Sequence, residues 1–403
     1  VLVFFEATKG FTIRNSSFSG CSFGNVHYES HQRSFDATLK LENVIFENFF
    51  GDEESEPALY LLASGAVVSI SNLTMYSGNR GILTSGIQTI YLNGVIISDV
   101  DTPLAIEYST LASVDNLQIS NSGGSSFTGA LLLTEQISAI LSNFNFQNNI
   151  GELQFSNTEV YLENSTFSNQ EALSLEQTST TLTQCSFTDM EYSNGGSLNI
   201  NNSSVNIDSC YFFDNSASSG GAILGMNSEL TIKYSSFENC YASGDGGAIS
   251  VHNSTLNIQE SMFSGCSAGN DGGALNILDG TLYASSCSFI NCTADNGGAI
   301  AFCGYEENTN TIVDSTFSDN TANIGSVLSC TCDSNISKQD NEYENNYTNN
   351  GDDWNCGDDD SNYSPNSTLG IILTVIIGAT FLCGCGILVM VVAVVITKRK
   401  KER

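Results

Sequence analysis

The stretches SCYFFDNSASSGGAI (209–223), YSSFENCYASGDGGAI (234–249), ESMFSGCSAGNDGGAL (260–275), SCSFINCTADNGGAI (286–300) and DSTFSDNTANIGSVL (314–328) repeat one pattern in succession. Phe212, Phe237, Phe263, Phe289 and Phe317 anchor them, 25, 26, 26 and 28 residues apart. Weaker copies anchored at Phe187, Phe167, Phe146, Ile119, Ile97, Met75, Phe46 and Phe18 carry the pattern back toward the start. Thirteen units, 20 to 29 residues apart, thus cover the chain almost end to end. A period of that length marks a repeat architecture in which each unit buries its inward face only against its neighbours.

Before each anchor, apolar and polar residues alternate, as in Val205-Asn206-Ile207, Leu230-Thr231-Ile232 and Leu256-Asn257-Ile258. Period-two alternation is the mark of a strand with one face buried. After the anchor come a polar stretch, Gly-Gly-Ala-Ile or a variant of it, a short apolar pair and turn residues of the Asn-Ser-Thr kind. No segment sustains a helical period, and the leucine-rich pattern is missing. The expected fold is therefore an all-β, right-handed parallel β-helix of about 13 coils. A coil rise of about 4.8 Å would make it about 60 Å long.

Stacking sets further expectations. Cys240, Cys266 and Cys292 stand three residues after their Phe, where Asn149, Asn215 and Asn320 stand in other units; Cys185, Cys210 and Cys287 stand two residues before it. Neighbours in such a column lie within disulfide reach, and a ladder of buried thiols is equally consistent with the spacing. Gly246-Gly247 and its equivalents are expected to supply positive φ at a tight corner. A phosphate loop is not the reading, since no Lys or Arg follows them.

Acidic residues outnumber basic ones 44 to 12, for a net charge of −32. Five of the cations (Lys398, Arg399, Lys400, Lys401 and Arg403) sit in the last six residues. The long preceding part keeps only Lys9, Arg14, Arg33, Lys40, Arg80, Lys233 and Lys338. Nucleic acid and other polyanions are bound by Lys and Arg, so this composition excludes them as partners.

Leu369 to Ile396 is a 28-residue run without a charge, and about 20 apolar residues suffice to span a bilayer as a helix. The basic cluster that follows is expected to stay in the cytoplasm. Residues 1–368 are then extracellular or luminal, on the plasma membrane or another membrane of the secretory pathway. Gly370, Thr374 and Gly378 have a small-xxx-small spacing that suits helix pairing. Eleven of the 13 cysteines precede the run, which fits an oxidising compartment. So do the N-x-[ST] acceptors at Asn15, Asn72, Asn164, Asn201, Asn202, Asn253, Asn291, Asn335, Asn346, Asn362 and Asn366. Val1 to Phe5 reads as a strand already under way, so a fragment or a processed chain is expected. The organisation read from the sequence is a β-helix at 1–333, an Asn/Asp-rich stalk at 334–368, the membrane helix at 369–396 and a tail at 397–403.

GGA[IL] together with Phe-x-x-Asn or Phe-x-x-Cys resembles the repeat of the chlamydial polymorphic outer-membrane proteins, also met in surface proteins of ciliates and other protists. The strong copies cover roughly 185–330. The resemblance implies a pectin-lyase-like right-handed β-helix and, in the bacterial members, an adhesive role. Those members end in an outer-membrane β-barrel, whereas a helix and a basic stop are expected here, which points to a eukaryotic surface protein.

Many β-helix proteins degrade polysaccharides, so chemistry has to be weighed. Enzymes acting on uronate polymers need cations to stabilise a developing anion, and few are present. His27, His31 and His252 stand in no motif with a partner base. Asp208, Asp214, Glu238, Asp245 and Asp271 are the candidate carboxylates for glycoside hydrolysis, set at turn or coil-edge positions. Asp52-Glu53-Glu54, Asp352-Asp353 and Asp358-Asp359-Asp360 are candidate oxygen ligands for Ca²⁺ without a recognised calcium pattern. No other cofactor motif is present. Cys330-x-Cys332 with Cys356 lacks zinc spacing. With Cys303, these cysteines are expected to staple the last coil and the segment covering it. The expected function is a single-pass surface glycoprotein with a structural or adhesive ectodomain that binds glycans or surface proteins of other cells or of the matrix. The rival is a membrane-tethered polysaccharide hydrolase or lyase.

Overall fold

Inward and outward residues sort as the alternation requires. Leu230 and Ile232 are buried and Thr231 lies between them at the surface; Leu256 and Ile258 repeat this around Asn257. One coil runs through strands Leu198–Asn201, Ser204–Asp208, Tyr211–Phe213 and Ser216–Ala217. It then turns at Gly220-Gly221 into Ile223–Met226, which pairs parallel with Leu198–Asn201. The computed structural model describes residues 2–5, 10–20, 26–30, 37–50, 57–123, 131–134, 138–151, 153–304, 309–330 and 335–356, and the two short strands 375–376 and 393–394. Within residues 1–357 the described strands pair in parallel, coil on coil, into a right-handed β-solenoid of about 12 turns.

The expected anchors occupy one unbroken column. Phe18 pairs with Phe46, then Met75, Ile97, Ile119, Phe146, Phe167, Phe187, Phe212, Phe237, Phe263, Phe289 and Phe317 follow in register. Strand spacing sets the ring spacing. From Phe167 to Phe317 successive centroids lie 4.5 to 5.0 Å apart, with planes within 7° of parallel. Each such pair contributes about 0.5–1.5 kcal/mol beyond the burial of the rings.

The coil bends at residues in the left-handed region, where Asn and Asp are the best-tolerated non-glycine residues because their short side chains bond locally. Asn202, Asn227 and Asn253 hold the first corner, at φ of 48°, 50° and 50°. Asn15, Asn43, Asn72 and Asn164 hold the second, and Asn48, Asp214, Asn239 and Asn291 the third. The residue after each turns into the core and is usually small and polar in the later coils: Ser203 and Ser228, Cys210 and Ser235, Asn215 and Cys240. The Gly-Gly corner divides its work between its members. Gly246 has φ +67°, as expected, but Gly247 does not need positive φ. It needs emptiness, because a Cβ there would stand 2.0 Å from the Gly273 carbonyl oxygen of the next coil.

One boundary changes. The β-helix runs past the boundary expected at 333: Asn335–Gln339, Glu342–Glu344, Tyr347–Thr348 and Trp354–Asn355, placed in the stalk by the sequence reading, form another coil paired on the one before. Its anchor is Tyr343, 5.7 Å from Phe317, and Lys338 lies 4.4 Å above the Trp354 ring. A tyrosine anchor and few inward aliphatics hid this coil from the apolar period. The membrane helix expected at 369–396 falls outside the described residues except for Val375–Ile376 and Ala393–Val394, which pair antiparallel. Among the described residues no helix is long and apolar enough to cross a membrane.

Candidate functional site

The inward polar residue of each corner ties one coil to the next. At the third corner Asn215 donates from Nδ2 to the Phe187 carbonyl (3.0 Å), and its Oδ1 accepts from the Met190 N–H (3.0 Å). Asn320 does the same with the Phe289 carbonyl and the Cys292 N–H. In the coils between, Cys240, Cys266 and Cys292 point their thiols at the equivalent carbonyls of Phe212, Phe237 and Phe263, at 3.9, 3.5 and 3.8 Å. At the second corner Ser235 accepts from the Cys210 N–H and Ser261 from the Ser235 N–H.

Of the two readings of the cysteine columns, this structure holds the thiol ladder. Cys185, Cys210, Cys240, Cys266, Cys287 and Cys292 are free, buried thiols; all but Cys266, which has Cys240 and Cys292 on either side, stand where Ser or Asn stands in a neighbouring coil. Burial pushes Cys240 and Cys292 well above the usual thiol range and Cys287 up to about 11. The staple expected at the end of the solenoid is present in part. Cys330 is bonded to Cys356 across two successive coils, and Cys303 is disulfide-bonded too. Cys332 lies outside the described residues.

Outside the core the first corner forms an open groove lined by Gln177, Thr178, Ser179, Asn202, Ser203, Ser204, Asn227, Ser228, Glu229 and Asn253. Its floor is the inward hydroxyl ladder, in which the Thr178, Ser203 and Ser228 N–H groups donate to Ser203, Ser228 and Ser254 Oγ. Its rim is the corner amides, Asn253 Nδ2 donating to Asn227 Oδ1 at 2.8 Å. Amides and hydroxyls dominate the groove, and Glu229 is its one charged residue. The sequence signal was the recurrent Asn-Ser turn pair; that its copies line up along one edge was not legible.

Apart from Asp245 and Asp271, the candidate carboxylates are dispersed over different corners and edges. Asp208 precedes the second corner and accepts from Ser209 (2.6 Å), while Asp214 is itself the third corner. Glu238 stands in the next coil, accepting from Tyr211 and Ser236 at 3.0 Å each. Burial, with Glu238 beside it, pushes the Tyr211 hydroxyl up to about 12. Asp245 and Asp271 are brought together at the Gly-Gly edge, where Asp245 accepts from the Asp271 N–H and Asp271 from Asn296. Asp115 shows what such acids do in this fold: Asn143 and Ser142 donate to it and hold its carboxyl below the ordinary value. His27 is buried, 3.4 Å from Glu29 and edge-on to Tyr60; His252 is exposed, 3.7 Å from Asp279; His31 lies outside the described residues.

Of the candidate calcium ligands, Asp353 accepts from Ser326 (2.6 Å) and Thr348 (3.1 Å), closing the last coil. Asp52-Glu53-Glu54 and Asp358-Asp359-Asp360 lie outside the described residues. Among the described residues no group of three or more His, Cys, Asp or Glu side chains is placed to hold a metal ion.

The flat faces between corners carry the exposed rings. On the face after the first corner, Tyr91, Ser113, Ile140 and Tyr161 share one outward column, and the two tyrosines and the isoleucine are nearly half exposed.

Fold and corner ladders together define a right-handed parallel β-helix protein. The family model described as a right handed beta helix region matches residues 128–289. No curated protein and no solved structure gives a match.

Proposed function

We propose that the chain is a single-pass cell-surface glycoprotein whose β-helix is a rigid adhesive or structural ectodomain, carried outside the membrane by the apolar run at 369–396. The observation that carries this reading is the chemistry of the surface. The groove is walled by amides and hydroxyls, and the flat faces present single rings in a polar field. Such groups exchange hydrogen bonds with sugar hydroxyls or a polar protein surface, and exposed tyrosines add stacking area on a rigid support. Asp208, Asp214 and Glu238 stand at other corners and edges; the pair that is brought together, Asp245 and Asp271, is tied into the edge ladder by the Asp271 N–H and Asn296 and does not line the groove, where the two carboxyls of glycoside hydrolysis would have to flank one bond. The GGA[IL] and Phe-x-x-Asn copies support a repeat of the chlamydial outer-membrane type, and with it an adhesive rather than a degradative role.

The full chain in detergent or nanodiscs, offered a glycan array and a panel of soluble polysaccharides, tests the reading. Binding to one glycan class with the polymer left intact is the expected result. Release of shorter products overturns it in favour of a membrane-tethered hydrolase or lyase.

A further inference from the structure

The glycosylation acceptors follow the geometry of the corners. Asn15, Asn72 and Asn164 hold the second corner, Asn202 and Asn253 the first and Asn291 the third, all with positive φ and all exposed. At each the middle residue of the N-x-[ST] triplet turns inward: Leu73, Ser165, Ser203, Ser254 and Cys292 are buried, and Ser16 half-buried. The hydroxyl residue then returns to the surface, exposed at Ser17, Thr166, Ser204, Thr255 and Thr293 and half-exposed at Thr74. Asparagine and hydroxyl thus face solvent together at these six corners.

Two acceptors are out of phase with this geometry. Asn346 is itself the inward residue: its Nδ2 donates to the Phe317 carbonyl (2.9 Å) and its Oδ1 accepts from the Asn320 N–H (3.0 Å). A sugar on that nitrogen would sit between two coils. Asn201 lies one residue before its corner, so its triplet ends on Ser203, which is buried and accepts from the Thr178 N–H.

We infer that N-linked glycans are carried at the six in-phase corners, Asn15, Asn72, Asn164, Asn202, Asn253 and Asn291, and not at Asn346 or Asn201. This rests on the proposal that the ectodomain faces outward. The attachment is compatible with the ladders. Where a corner amide donates to the coil before, as Asn72 does to Asn43 and Asn253 to Asn227, a glycosylated amide still keeps one N–H for that bond. At Asn15 the oxygen accepts from Asn43, and among the described residues the amide nitrogen donates to none. Sugars on Asn202 and Asn253 would stand at two corners of the groove rim, and the flat faces, including the Tyr91–Ile140–Tyr161 column, would stay bare for a partner.

The full chain expressed through a eukaryotic secretory pathway, with site occupancy read by mass spectrometry after enzymatic glycan release in heavy water, tests this. Glycan at the six corners, with Asn346 and Asn201 unmodified, is the expected outcome. Ser204→Ala is the second arm, because it removes the Asn202 triplet while leaving both the corner amide and the Asn201 triplet in place. One glycan is expected to be lost from residues 201–202, with no transfer to Asn201. Glycan on Asn346, or transfer to Asn201 in Ser204→Ala, overturns the assignment. Glycan confined to Asn335, Asn362 or Asn366 also overturns it but leaves the outward orientation standing. Absence of glycan at every acceptor overturns both.

Discussion

Phe237 sits in the middle of the anchor column, fully buried, its ring 4.5 Å from Phe212 and 4.9 Å from Phe263, with planes within 7° of both. Phe237→Ala removes both stacked contacts and leaves a cavity that cannot collapse, because the coil spacing is fixed by backbone pairing on either side. Large-to-small changes of this kind cost about 3–5 kcal/mol, of which two lost ring pairs account for roughly 1–3 kcal/mol. Phe18→Ala, at a half-buried anchor with Phe46 as its stacked partner at 4.9 Å, is expected to cost clearly less. Phe237→Leu, which imitates the aliphatic anchors Ile97 and Ile119, should cost roughly half as much as the alanine change. Urea unfolding of the full chain, followed by far-UV circular dichroism, reads the difference. With a slope of about 3 kcal/mol per molar, a loss of about 4 kcal/mol lowers the midpoint by a little over 1 M. Equal, small shifts below about 0.3 M for Phe237→Ala and Phe18→Ala would show that the stacked column does not hold the coils together, and would refute the reasoning.

Asn215→Ala leaves the Met190 N–H and the Phe187 carbonyl without their partner, at about 1–3 kcal/mol for each buried group. Asn215→Cys copies Cys240 and should recover part of that in the same unfolding assay; equal losses would count against interchangeable ladder residues. The raised thiols predict alkaline weakening. Cys287 keeps its proton in the folded chain up to about pH 11, whereas an unfolded thiol loses it near pH 8.5. The unfolded state therefore binds fewer protons in that window, and stability falls by up to about 1.4 kcal/mol per pH unit as pH rises. Cys287→Ser should flatten part of this slope in unfolding midpoints measured from pH 8 to 11, and an unchanged slope would contradict it. Cys356→Ser opens a link between residues 26 apart, worth about 3.5 kcal/mol by chain entropy. Hydrogen exchange should then quicken in residues 335–356 and stay unchanged around 212–263; no local change would place the stability of the last coil elsewhere.

The anchors were readable because each lies within a short strand whose alternation is local, and even the aliphatic copies at Met75, Ile97 and Ile119 keep their place in the column. The last coil was not, since Tyr343 and Trp354 in an Asn/Asp-rich segment resemble a linker until the preceding coil supplies their partners. The site was half legible. Asn-Ser pairs announced turns, but lining them into one groove depends on summing every loop length between residues 177 and 253. The candidate acids lie at turns and edges, as their neighbours in the sequence suggest, yet that Asp245 meets Asp271 while Asp208, Asp214 and Glu238 fall elsewhere follows only from the winding.

By itself the sequence determined the period, the strands and the inward set, all properties carried by neighbours along the chain, and the net charge of −32. Only the tertiary structure decided which residues bend the coil, which cysteines are thiols and which are bonded, and which acceptors face outward. The physical reason is that an Asn beside a Ser has the same local chemistry everywhere. Whether its amide points to solvent or to a carbonyl of the preceding coil depends on phase, and phase exists only once the coils are stacked.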